Sequence, residues 1–209
     1  MGYRAVALSQ VDGTSSETIG REAARKLGFG YLNEAIIAQV AQDHGMDADS
    51  VADAERRKSF FLRVAEAAGR GAAVPVPPDP RVYEPDPTDM LLSLIRDTVQ
   101  DAAERGGVFL AAHAACYACA DRPDVLRVCI TAPPATRLSR VAAARGLSDK
   151  EAARWLGRSD AGRASYLKRV YGVSGESPAD YDVVINTERL APDAAAGLIT
   201  ELVRRPADG

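Results

Sequence analysis

Tyr3-Arg4-Ala5-Val6-Ala7-Leu8-Ser9-Gln10-Val11-Asp12-Gly13-Thr14-Ser15-Ser16-Glu17-Thr18-Ile19 carries the pattern that decides the fold. Residues 3 to 8 are a short apolar run, 9 to 16 a polar turn, and beyond it Ile19, Ala23 and Leu27 recur at helical spacing. The stretch reads as strand, loop, helix. The same alternation continues down the chain. Gly28 ends the helix, residues 29 to 32 are extended, and Asn33 can cap a helix carrying Ile36, Ile37, Val40 and Ala41, with a third helix over about 50 to 68. Thr88 caps a helix with Leu91, Leu94, Ile95, Thr98 and Ala102 on one face, and Gly106-Gly107 releases the chain into a strand over 107 to 111. A helical stretch over 111 to 120 precedes a strand at 125 to 131. Pro133-Pro134 then opens a helix that stops at Gly146. Ser148 and Glu151 form a capping-box pattern for a helix through Trp155, a further arginine-rich helix spans about 159 to 171, and a strand at 181 to 186 leads to a helix from Pro192 to Arg204. Strands separated by helices pair in parallel through right-handed crossovers, so the expected fold is an α/β three-layer sandwich around a five-stranded parallel sheet. In such sheets ligands sit at the carboxyl ends of the strands, so the Ser9 to Thr18 loop and the segments after Leu110 and Ile130 should border one crevice.

Composition narrows the function. The chain has 209 residues, long enough for one domain of generous size, and 26 Lys plus Arg against 29 Asp plus Glu leave a net charge of −3. That balance lacks the footprint of a protein that coats nucleic acid or anionic lipid, so a polyanion must be met locally. No apolar run is long enough for a membrane span or a secretion signal, which points to the cytoplasm. Three cysteines, Cys116, Cys119 and Cys129, are too few for a disulfide framework or a four-thiolate zinc site. The Cys116-Tyr-Ala-Cys119 spacing is that of a redox pair, but its alanine-rich helical surroundings favour plain packing. From 69 to 87 six prolines leave no room for regular structure, marking an insert loop within a single domain that spans 1 to 209.

Two groups of residues suit anion chemistry. Small residues at Gly13, Thr14, Ser15 and Ser16, followed by Glu17 and Thr18, let backbone N–H groups turn inward at a helix N-terminus, as a phosphate requires. The loop departs from the full phosphate-loop motif, with Ser16 in the lysine position and Glu17 in that of the hydroxyl. A plain strand-to-helix turn capped by Asp12 and Thr14 also fits, and Glu17 fits a phosphate only if it helps hold a magnesium ion. The second group is Arg137, Arg140, Arg145, Arg154, Arg158, Arg163 and Arg169, with Asp160 among them. Guanidinium forks stabilise the charge that spreads over a migrating phosphoryl group. A solvated helical face is the alternative, although Arg158, Asp160 and Arg163 with Tyr166 and Tyr171 form the pattern of a closing lid over 148 to 175.

With those residues in view, the chain resembles the cytidylate kinase-like family. The likeness runs through Leu8-Ser9, Gly13 to Ser16, Ile19, Ala23, Leu27-Gly28, Tyr31 and Ile36-Ile37. It continues through Val128 to Ala132, Arg137, Arg140-Val141, Gly146-Leu147-Ser148, Glu151-Ala152, Asp160, Arg163, Tyr166, Tyr171 and Tyr181 to Thr187. The resemblance implies a P-loop nucleoside monophosphate kinase-like fold that moves the γ-phosphoryl of ATP, with Mg2+, to an acceptor such as CMP or dCMP. By the same resemblance Gly13 to Thr18 would wrap the donor phosphates, and Arg137 and Arg140 would face the transferring group. Asp160 and Arg163 would act from a helical arginine-rich lid, and Asn186 and Thr187 would lie near the donor base. His113 falls where the family shows an arginine for the acceptor phosphate; a packed strand-end histidine is its alternative reading. No resident metal site is expected. The departures at Ser16, Glu17 and His113 leave a catalytically inactive nucleotide-binding or regulatory protein on this fold as the second reading.

Overall fold

The computed structural model describes residues 2–9, 11–32, 96, 99–111 and 114–205. The expected helices from Asn33 and over 50 to 68, the proline-rich insert, the start of the helix at Thr88, and His113 lie outside the described residues.

Strand β1 (Ala5–Ser9) is the centre of the molecule. On one side it pairs with β3 (Val108–Leu110), which pairs with β2 (Gly30–Leu32). On the other it pairs with β4 (Val125–Thr131), which pairs with β5 (Val183–Asn186). Every pairing is parallel, with Ala5 opposite both Val108 and Val125, and Val128 opposite Val183. Among the described residues, five α-helices accompany these strands: α1 (Ser16–Leu27), α2 (Ala115–Ala118), α3 (Pro134–Arg145), α4 (Asp149–Tyr171) and α5 (Pro192–Arg204). Residues 99–105 are also helical.

Alternation along each strand creates the layers. Val6 and Leu8 join Phe109, Leu126, Val128 and Ile130 under α1 and α5, where Ile19, Ala23, Ala195 and Ile199 are buried. Ala5 and Ala7 join Val108, Leu110 and Val125 on the opposite face, under Ala103, α2, and Tyr166 and Leu167 of α4. All five residues of β1 are therefore buried, as a central parallel strand requires. A third, smaller cluster ties α3 to the first half of α4 through Val141, Ala152 and Leu156.

The ends of β1, β2 and β3 shift by one or two residues from the expectation, and three further differences have a local cause. The two helices foreseen between 148 and 171 are one continuous helix, α4, opened by a Ser148–Glu151 capping box. Its first half packs on α3 and its second half on the sheet, so the apolar face shifts partway along and imitates a break. The helical stretch foreseen over 111 to 120 contracts to α2, which follows Ala114 in the left-handed region at φ 56°. The last strand starts at Val183 because Asp182 points its carboxylate back onto the Arg127 backbone N–H, at 2.8 Å.

The chain leaves β1 toward the β2 edge and leaves β4 toward the β5 edge. The carboxyl ends of β1 and β4 therefore flank the topological switch point, where parallel sheets open a crevice.

Candidate functional site

The loop between β1 and α1 is held by its carbonyl oxygens. Thr14 closes it locally, with both its N–H and its hydroxyl donating to the Val11 carbonyl. The next three carbonyls are taken by the far side of the crevice: Asp12 O accepts from Arg137 Nε at 2.7 Å, Gly13 O from Arg140 Nη1 at 3.3 Å, and Thr14 O from the Thr187 hydroxyl at 2.9 Å. Gly13 adopts φ +78°, and a Cβ there would lie 2.6 Å from the Arg137 carbonyl oxygen, so only glycine fits. Ser15 caps α1 in the left-handed region, at φ 64°, without a side-chain hydrogen bond to the helix. The first-turn N–H groups of α1 thus receive no side-chain cap from Ser15, and the helix dipole adds to their attraction for an anion. Ser16 is buried, whereas Glu17 and Thr18 are exposed on α1 and Glu17 pairs with Arg21 at 2.9 Å.

Arginines approach this loop from two helices. Arg137 on α3 makes a two-pronged pair with Asp160 on α4, at 2.6 and 3.0 Å. Arg140, one turn on, donates to both the hydroxyl and the carbonyl of Thr187, at 3.0 and 2.7 Å. Buried Thr187 also receives its N–H contact from the end of β4, donating to Thr131 O at 2.8 Å, so it joins β4, β5, α3 and the loop. Asn186 stands apart: it is exposed, and its side-chain oxygen caps the Glu188 N–H at 2.9 Å.

Arg163 on α4 is the most buried charge among the described residues, only 8% exposed. Its Nε and Nη2 each lie 2.7 Å from a Glu176 carboxylate oxygen, and Nη2 also donates to Ser9 Oγ at 3.1 Å, at the end of β1. Tyr181 donates its hydroxyl to the same carboxylate. Burial alone would loosen the proton on Arg163, but the Glu176 carboxylate reverses this and tightens it. Burial alone would likewise raise the Glu176 carboxyl, yet the guanidinium beside it and the Tyr181 hydroxyl hold it below the usual carboxylate range. A cavity of about 200 Å³ opens here, with Val11, Arg137, Asp160, Arg163, Ser174 and Glu176 in its lining.

The structure brings together Gly13, Thr14, Arg137, Arg140, Asp160, Arg163 and Thr187 from the candidates chosen by sequence. It leaves Glu17, Thr18 and Asn186 on exposed positions at the margin. Five participants, Asp12, Trp155, Ser159, Glu176 and Tyr181, were not among those candidates. Asp12 accepts from the Trp155 indole N–H at 3.1 Å and from Ser159 Oγ at 2.8 Å, both on α4. Glu176 and Tyr181 clamp Arg163. Trp155 and Ser159, four apart on one helical face with Arg163 four beyond, were the available signal. Nothing in the local sequence marks Glu176. Among the described residues, no group of three His, Cys, Asp or Glu side chains could hold a metal ion. Cys116 and Cys119 are free and buried, and burial pushes the Cys119 thiol up to about 11, so they pack as thiols. No helix among the described residues is long and apolar enough to cross a membrane.

A five-stranded parallel sheet with an arginine-bound loop at its switch point defines an α/β kinase fold of the P-loop type. Solved structures agree: a shikimate kinase from Bacteroides thetaiotaomicron aligns over 95% of this chain and 97% of its own, with TM-score 0.52 and 12% identity. An uncharacterized protein from Eubacterium ventriosum aligns over the same shares with TM-score 0.60 and 14% identity. The sequence pattern of the cytidylate kinase-like family matches residues 5–189, and the chain belongs to that family. It is also similar to the cytidylate kinase of Methanopyrus kandleri, 24% identical over 203 residues that cover 93% of this chain and 90% of the relative.

Proposed function

We propose that the protein is a nucleoside monophosphate kinase that transfers the γ-phosphoryl group of MgATP to CMP or dCMP. What supports this reading is the convergence of Arg137, Arg140 and Arg163, from α3 and α4, on the β1–α1 loop and the cavity beside it. In the reaction an oxygen of the acceptor phosphate attacks the γ-phosphorus, the bond to the β–γ bridging oxygen breaks, and ADP leaves with the electron pair of that bond. A phosphate nucleophile already carries its charge, so positioning and charge stabilisation supply the catalysis. The first-turn amides of α1 receive the donor phosphates, and Arg137 and Arg163 meet the phosphates across the crevice. Arg140 and Thr187 hold the loop's carbonyls outward, keeping its N–H groups available. Residues 148–175 are the lid, with Asp160 and Arg163 at its working face, and His113 belongs to the acceptor side.

Ser16 is the observation that favours a second reading. The wider kinase group has lysine there, and no lysine is placed in this loop. On that reading the protein binds nucleotide without turnover. One assay separates the two: purified protein with MgATP and a panel of nucleoside monophosphates, with diphosphate product quantified. Formation of CDP or dCDP, sharply reduced in Arg163→Ala, is the expected result. Saturable nucleotide binding with no diphosphate from any acceptor would instead leave only the binding role.

A further inference from the structure

A carboxylate held against a buried guanidinium gives up part of its hydration, which is costly unless the pair repays it. Glu176 lies in the connection after α4 with its side chain 29% exposed, and both of its oxygens are committed to Arg163. The support extends outward. Tyr181 donates to Glu176 and stands edge-on to Tyr117, with ring centroids 6.2 Å apart, while the Tyr117 hydroxyl donates to Asp180 at 3.0 Å. Contacts to Glu176 and Ser9 occupy Nε and Nη2 of Arg163, and no described residue accepts from Nη1. Arg163 lines the cavity.

We infer that Glu176, steadied by Tyr181, is the positioning residue for Arg163: it clamps one edge of the guanidinium so that Nη1 is left to meet the acceptor phosphate in the cavity. The inference rests on the proposed monophosphate site. A free arginine loses rotamer freedom on gripping a phosphate, and a guanidinium already fixed on two sides has lost it beforehand. Charge alone argues the opposite way. Arg137 with Asp160 and Arg163 with Glu176 are two neutralised pairs, so removing the Glu176 charge makes the cavity more positive and, on electrostatics alone, more attractive to a phosphate.

The two effects therefore have opposite signs in Glu176→Gln. Calorimetric titration with CMP should show affinity falling about tenfold in this variant, the equivalent of one charge-assisted contact, while MgATP affinity stays within about twofold. Tyr181→Phe removes only a hydroxyl and should weaken CMP binding by a smaller factor, about threefold. It carries the test if Glu176→Gln does not fold, as read by its circular dichroism. Unchanged or tighter CMP binding in folded variants overturns the inference and leaves the proposed function standing. A wild-type protein that binds MgATP but not CMP overturns both.

Discussion

Gly13 and Arg137 meet backbone to backbone, which makes the β1–α1 loop intolerant of a single methyl group. With φ at +78° and an Arg137 carbonyl 2.6 Å from where a Cβ would stand, Gly13→Ala must move the loop away from α3. The expected cost is about 1–3 kcal/mol in stability, checked by denaturant titration, with a matching loss of MgATP affinity in calorimetry. Residue-scale legibility was uneven for a physical reason. Gly13, Thr14 and the arginines stand out by residue type, as small loop residues before a helix and guanidinium forks suited to an anion, although a plain turn and a solvated helical face would look the same in sequence. Asp12 and Glu176 do not. Their roles depend on partners brought by the fold, Trp155 and Ser159 in one case and Arg163 in the other, and an isolated acid in a polar loop carries no trace of them.

Helix α4 shows what periodicity hides. Its 23 residues serve two cores in succession, Ala152 and Leu156 against α3 and then Tyr166 and Leu167 against the sheet, and the phase change reads in sequence as a gap near 157. Gly157 lies in that gap and reinforces the impression of a stop. In the structure it is ordinary helix, and a Cβ added there meets nothing within 4 Å. Gly157→Ala should therefore stabilise the protein by about 0.5–1 kcal/mol, the opposite sign from Gly13→Ala, and raise the thermal midpoint measured by calorimetry. A lowered midpoint would show that the helix needs its flexibility at this point even at rest. The strands were easier to read, because β4 is a nearly continuous apolar run bounded by turn residues, buried at Leu126, Val128 and Ile130 and half-buried on its other face, and only strand ends moved.

The molecule as a whole carries its own reporter. Trp155 is the sole tryptophan, its indole N–H is bonded to Asp12 in the β1–α1 loop, and its ring lies under the Arg145 guanidinium, 3.9 Å from the centroid. Occupation of the loop by MgATP should shift its emission saturably, at the same concentration that calorimetry gives for binding. An emission spectrum indifferent to saturating MgATP would separate α4 from the loop's response. At this scale the sheet, its parallel sense and the crevice at the carboxyl ends were legible, since alternating strands and helices admit few arrangements. The order of the strands was not, because it depends on pairings between distant segments.

That order has a consequence for how the protein comes into being. β1 is made well before both of its hydrogen-bonding neighbours, Val108 to Leu110 and Val125 to Thr131, which are separated from it by a long stretch of chain. Thr187, which fastens the loop from the far side, arrives later still. On the ribosome β1 must therefore wait with its edges unsatisfied until β3 and β4 follow, and the loop gains its anion-holding geometry only once Thr187 has been made.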